Sequence, residues 1–160
     1  MRMPEPSEAS LADEDRMIRQ LVAREPSGRR ISEVRAELGA TMDKYCAVFR
    51  DEDGLRTALD TVRRLKEEAR TVAVDDKGTV FNQDVLGALE LGFMLDNAEC
   101  ILVSALERKE SRGAQYRTDF PKRNDVDWLK HITITPNRDE PGVSYSEVTL
   151  THWEPEERRY

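Results

Sequence analysis

Val85-Leu86-Gly87-Ala88-Leu89-Glu90-Leu91-Gly92-Phe93-Met94-Leu95-Asp96-Asn97-Ala98-Glu99-Cys100-Ile101-Leu102-Val103-Ser104-Ala105-Leu106 is the stretch on which the fold turns. Wound as a helix, it is apolar nearly all round, which predicts the central member of a bundle. Asn82 is a good N-cap and Asp84 suits the first turn, so this fourth helix is expected over about Gln83 to Lys109. Gly87 and Gly92 each cost about 1 kcal/mol against alanine in a helix interior. Close approach of a neighbouring helix is the cheapest explanation for them.

Three shorter helices are expected ahead of it. The third runs from about Gly54 to Arg70, with Leu55, Leu59, Val62, Leu65 and Ala69 facing inward. Its wet side is Arg63, Arg64, Lys66, Glu67 and Glu68. The second covers about Ile31 to Phe49, where Ile31, Val34, Leu38, Met42, Tyr45 and Phe49 recur at steps of three and four. The first begins at Ser10, where Ser10-Leu11-Ala12-Asp13 resembles a capping box. It turns Leu11, Met17, Ile18, Leu21 and Val22 to one side and is stopped by Glu25-Pro26-Ser27-Gly28. Residues 1–9, rich in Pro, Glu and Ser, read as a flexible lead-in. Val72-Ala73-Val74 reads as extended, followed by a turn at Asp75-Asp76-Lys77-Gly78.

After Arg112-Gly113 the character changes. Residues 113–127 are polar and irregular. Trp128 to Thr135 and Val143 to Thr151 alternate and are β-branched, with Asn137, Asp139, Pro141 and Gly142 between them, which predicts a β-hairpin. Glu154 to Tyr160 reads as a charged tail. The expected fold is mainly α: an antiparallel three- to four-helix bundle over 10–112, then loop, hairpin and tail over 113–160 of the same domain.

Composition narrows the function classes. The 160 residues carry 32 acids against 25 bases, a formal charge of −7, which argues against a nucleic-acid binder. No window is apolar enough to span a membrane, and no secretory leader is visible, so a soluble intracellular protein is expected. Cys46 and Cys100 form neither a CxxC pair nor a zinc framework and read as buried thiols. No two of the eight glycines are separated by one or two residues, so GxGxxG cannot be written, and no glycine pair is followed by the Lys-Ser/Thr that a P-loop needs. His131 and His152 lack metal-ligand spacing and read as structural or surface residues. Asp75-Asp76 and Asp125-x-Asp127 have too few ligands for calcium and read as turns and caps. No serine sits in a GxSxG elbow.

One stretch stands out, Glu107-Arg108-Lys109-Glu110-Ser111-Arg112-Gly113-Ala114-Gln115-Tyr116-Arg117-Thr118-Asp119-Phe120-Pro121-Lys122-Arg123-Asn124-Asp125. Physics alone leaves two readings open. One is a C-cap at Gly113 with local ion pairs worth about 0–1 kcal/mol each. The other is an interface where guanidinium groups make two-pronged contacts to another domain.

This stretch, with Arg108-Lys109-Glu110-Ser111-Arg112-Gly113-Ala114 and Tyr116-Arg117-x-Asp119-Phe120-Pro121-x-Arg123, resembles the C-terminal domain of the succinate dehydrogenase and fumarate reductase flavoprotein subunit. Further segments are similar in the same order. They are Thr41-Met42-x-Lys44, Val48-Phe49-Arg50, Gly54-Leu55, Val80-Phe81-Asn82-x-Asp84-Val85-Leu86, Ala88-Leu89-Glu90-Leu91-Gly92-Phe93-Met94-Leu95-Asp96, Asp127-Trp128-Leu129-Lys130-His131 and Glu154-Pro155-x-Glu157-Arg158-x-Tyr160. L-Aspartate oxidase and adenylylsulfate reductase share the ancestry, and the two terminal motifs favour the dehydrogenase branch. Gln115 stands where the family usually has His, and Asn124 where it has Asp; both keep hydrogen bonding and lose charge or titration.

The resemblance implies a parent subunit that oxidises succinate to fumarate by hydride transfer to FAD and passes electrons to an iron–sulfur subunit. Its catalytic and flavin-binding residues lie in a domain whose motifs have no match here. The segment would carry no catalytic, cofactor-binding or metal-binding residue. It would pack on the flavin domain through Glu110, Ser111, Arg112, Tyr116, Arg117, Asp119 and Arg123. The implied setting is cytoplasmic, at the inner face of a membrane through partner subunits, without insertion into it. The alternatives are a stand-alone interaction module reusing the domain and the same domain of an L-aspartate oxidase-like flavoprotein.

Overall fold

The computed structural model describes residues 7–25, 28–137, 140–153 and 155–156. Three helices form the core: α2 (Ile31–Tyr45), α3 (Glu52–Ala69) and α4 (Gln83–Glu107), with α1 (Glu8–Ala23) packed beside α4. Val34 and Leu38 of α2, Leu55, Ala58, Val62 and Leu65 of α3, and Leu91, Leu95, Ala98, Leu102 and Ala105 of α4 make one buried cluster. Each buried leucine contributes about 1.5–3 kcal/mol relative to exposure. Val72 and Val74, in the extended link between α3 and α4, are buried as well. The mainly helical bundle that the periodicity predicts is the fold observed.

The element ends differ from the sequence reading for local reasons. α1 starts at Glu8, because the Ser7 hydroxyl, not Ser10, accepts from a first-turn amide, that of Ser10 at 3.1 Å. Of its expected apolar side only Leu21 is buried, while Leu11 and Met17 are exposed. The helix is peripheral. Its expected stop at Pro26-Ser27, residues 1–6 of the lead-in, Asp139 of the hairpin turn, and Glu154 and 157–160 of the tail lie outside the described residues.

α2 ends at Tyr45 rather than Phe49. Phe49 and Arg50 are drawn out as β1 (Phe49–Arg50), which pairs in parallel with β2 (Tyr116–Arg117). α3 then starts at Glu52, capped by the Asp51 carboxylate on the Gly54 amide at 2.7 Å. Its wet side is not wholly solvated: Arg63 and Lys66 reach Glu99 of α4 at 3.1 and 2.7 Å, and that glutamate is buried.

α4 is capped by Asn82 as expected, its side chain accepting from the Val85 amide at 2.9 Å, and it ends at Glu107. It is not surrounded. Leu91, Leu95 and Leu102 are buried, while Leu86, Phe93 and Ile101 on the opposite side are exposed. Among the described residues nothing beyond α4's own neighbouring backbone comes within 4 Å of where a Cβ would stand on Gly87 or Gly92, so no described helix uses the space they leave.

Beyond α4 the polar segment holds one turn of helix the sequence reading leaves irregular, α5 (Asp125–Trp128), capped by Asn124 on the Val126 and Asp127 amides. The hairpin follows as β3 (Lys130–Thr135) and β4 (Gly142–Glu147), antiparallel, with Ile132 opposite Tyr145. Cys46 is buried and Cys100 only half-buried, and both thiols are free.

Candidate functional site

The segment 107–125 folds into a knot of guanidinium and carboxylate groups at the C-terminal end of α4. A helix ends with four carbonyls that lack intrahelical partners. Here they are met by a side chain from downstream. Arg117, fully buried, donates through Nη1 to the Ala105, Leu106 and Arg108 carbonyls at 2.8, 3.3 and 3.4 Å. Its Nε and Nη2 grip both oxygens of Asp119 at 2.8 and 2.7 Å. Asp119 in turn accepts the Glu52 amide at 3.1 Å, tying the start of α3 to the end of α4. The Arg117 guanidinium and the Glu52 amide hold the Asp119 carboxyl below its usual range.

Glu110 is the second fully buried charge. Its carboxylate accepts from Arg108 at 2.7 Å, from Arg112 at 2.7 and 3.0 Å, and from the Asn124 amide at 2.8 Å. Burial alone pushes this carboxyl up, but the Arg112, Asn124 and Arg108 bonds outweigh it and hold it below the ordinary value. A buried charge survives only when its remaining lone pairs are satisfied, and these are. Arg108 also donates to the Trp128 and Lys130 carbonyls at 2.8 and 2.6 Å, which fastens α5 and β3 to the same knot. Lys130 Nζ lies 4.6 Å from the Trp128 ring centre and 4.0 Å from that of Tyr145, bracing the hairpin root.

The outer rim is looser. Arg123 and Arg112 both bind Asp125, and together they hold its carboxyl down at about 2. Ser111 Oγ accepts the Arg117 amide at 2.9 Å and faces the Phe120 carbonyl at 2.9 Å. Gly113 is not a helix C-cap. It sits in the tight reversal that pairs Arg112 with Gln115, at φ 61°, a region open to glycine without a Cβ penalty. Gln115 donates to the Arg108 carbonyl at 3.2 Å and accepts from Arg50 at 3.3 Å. Asn124 spends its side-chain oxygen on α5 and its amide group on Asp127, a job a carboxylate would do only in part.

The structure therefore brings Glu110, Ser111, Arg112, Arg117, Asp119 and Arg123 together and satisfies most of their polar atoms within the chain. Tyr116 differs. It is exposed, stacked edge-on against exposed Phe49 with ring centres 5.4 Å apart, and Val48 beside them is exposed too. Arg108, Gln115 and Asn124 are members that the sequence reading does not assign to the site. Arg108 carried a usable signal, as one more arginine within two residues of Glu110. His131 and His152 are exposed, and among the described residues no three His, Cys, Asp or Glu side chains gather as a metal site. Among the same residues no helix is long and apolar enough to cross a membrane.

Solved structures carry the same arrangement of elements. The FrdA chain of E. coli quinol fumarate reductase superposes with a TM-score of 0.87 over 96% of this chain and 27% of its own, at 32% identity. The Haemophilus influenzae fumarate reductase flavoprotein subunit is 43% identical over 130 residues, 81% of this chain and 22% of that one. The Mycobacterium tuberculosis counterpart is 40% identical over 148 residues, 91% of this chain and 25% of that one. Bundle, knot and hairpin thus define a helical domain of flavoprotein oxidoreductases.

Residues 35–160 match the family described as fumarate reductase flavoprotein C-term, and the chain belongs to it, as the C-terminal domain of a succinate dehydrogenase or fumarate reductase flavoprotein subunit. It spans about a quarter of the length of the relatives it matches.

Proposed function

We propose that this chain is the helical part of a flavoprotein subunit that packs against a flavin-binding domain and leaves the chemistry to it. The parent assembly interconverts succinate and fumarate, with hydride transfer at FAD and electrons exchanged with an iron–sulfur subunit at the inner face of a membrane. The observation that carries this reading is the correspondence of 96% of the chain to 27% of a fumarate reductase flavoprotein.

The knot serves the docking in two ways. Tyr116, with Phe49 and Val48, supplies a contact edge. Glu110, Ser111, Arg112, Arg117, Asp119 and Arg123 hold that edge, α4 and the hairpin as one unit, so little order remains to be imposed on docking. The test is to supply the purified chain with FAD, succinate and an electron-accepting dye, alone and with the flavin-binding polypeptide of the same organism. Dye reduction only in the second case supports the reading; reduction by the chain alone overturns it.

A further inference from the structure

We propose that the outer face of α4, extended by Phe81, is a second docking surface, and that its occupant is an apolar surface of the flavin-binding part of the same subunit. The inference rests on the docking reading above and assigns residues to it that lie away from the knot.

The face itself is the first observation. Leu86, Phe93 and Ile101 are 49%, 66% and 48% exposed and stand opposite the buried Leu91, Leu95 and Leu102. Asn97 and Ser104 share their side of the helix, Glu90 there is paired with Arg35 at 3.8 Å, and Asp96 at its border is paired with Lys66 at 2.7 Å. Charged residues make up 36% of the chain, yet this long face carries almost none. Large exposed apolar side chains that recur every two turns along one side of a helix, at Leu86, Phe93 and Ile101, mark a contact surface.

Phe81 is the second. It is 91% exposed at φ 52°, the left-handed region that a bulky residue enters only at a cost of about 1–2 kcal/mol. It occupies the position before the N-cap, from which an apolar side chain normally folds back onto the fourth residue of its helix, here Leu86. That contact is given up and both side chains face out. The pose is built rather than loose: Asn82 Nδ2 donates to the Asp76 and Gly78 carbonyls at 2.7 and 2.9 Å while its oxygen caps α4. Gly87 and Gly92 flank the strip with open space where side chains would stand, which admits a closely approaching backbone.

The occupant follows from proportion. About three quarters of the relatives' length lies outside the part this chain matches, so most of the surface able to cover an apolar strip belongs to that remainder.

The test mixes this chain with the flavin-binding polypeptide of the same organism, produced separately, and reads co-elution on a sizing column through the flavin absorbance. The variants are Phe81→Ser combined with Phe93→Gln, Ile101→Gln alone, and Tyr116→Ala. Weakening of the complex about tenfold or more by the first two, with unchanged melting of the isolated chain, supports the proposal. Binding lost with Tyr116→Ala but untouched by the α4 variants overturns it and leaves the docking reading standing. Failure of the unaltered chain to bind overturns both. A self-dimer of the unaltered chain that the α4 variants dissolve overturns the choice of occupant.

Discussion

The side chain of Arg117 grips both oxygens of Asp119, at 2.8 and 2.7 Å, with the arginine out of solvent and the aspartate at the surface. This pairing leaves the third prong of the guanidinium free for the end of α4. Replacing Arg117 therefore strands a carboxylate and several helix-end carbonyls at once. Arg117→Met is expected to cost about 3–5 kcal/mol, chiefly from the helix-end carbonyls it leaves without a donor, at about 1–3 kcal/mol for each buried group. At about 2–4 °C per kcal/mol for a chain of this size, the melting temperature falls by roughly 10 °C or more. Arg117→Lys recovers only a small part, because a single ammonium cannot grip Asp119 twice and reach the carbonyls.

Glu110 gives the chain an acid limit. The Arg112, Asn124 and Arg108 bonds outweigh burial and hold its folded carboxyl below the ordinary glutamate value, so its contribution is present above the unfolded value and is lost as pH falls through the lower, folded one. Glu110→Gln is expected to cost about 1–3 kcal/mol near neutral pH. Thermal melts from about pH 7 down to about pH 2 should show the gap between unaltered and variant chains closing as pH falls. A gap constant over that range contradicts the assignment. Arg112→Ala is expected to lower the melting temperature of the chain by itself, since it strips two bonds from a fully buried carboxylate.

Gly87→Ala and Gly92→Ala test the open flanks of α4. With nothing beyond the helix's own backbone near either position among the described residues, each should gain about 1 kcal/mol of helix propensity. Together they should raise the melting temperature of the isolated chain by several degrees, read by circular dichroism. A drop in melting temperature contradicts the open-flank description.

Phe81→Asn tests the strained pose. Asparagine tolerates the left-handed region better, and the ring it replaces is 91% exposed. A gain of about 0.5–1 kcal/mol in the isolated chain is expected, measured by denaturant unfolding. A loss instead means that the ring packs within the chain.

How far the sequence could be read depended on the range of each interaction. The core of α2, α3 and α4 and the Asn82 cap were legible, because apolar spacing and capping act within a few residues. Phe49 misled the reading of α2 because its spacing continues the apolar stripe, while its pairing with Tyr116 is invisible to any local pattern. The apolar circumference of α4 marks the element that α1, α2, α3 and β3 all pack against, but not that one side of it stays uncovered: composition says a side chain avoids water, not which polypeptide covers it. The importance of residues 107–125 was visible in their charge, but the destination of each guanidinium was not. That Arg117 turns back to the end of α4 depends on the tight reversal at Gly113, and that Arg108 reaches the Lys130 carbonyl depends on where α5 ends.

The two-residue ladder of β1 and β2 has a consequence for the order of assembly. It brings together Arg50 and Gln115, sixty-five positions apart, whereas α2–α3 and α3–α4 contacts join neighbours along the chain. Closing so long a loop is entropically late work. The helices are therefore expected to collapse first, with the end of α4 frayed and Glu110 still hydrated, and the ladder to close as the final step. Substitutions in the knot should then speed unfolding and leave the refolding rate almost untouched, so that in kinetic terms the ladder acts as a latch on a bundle already formed.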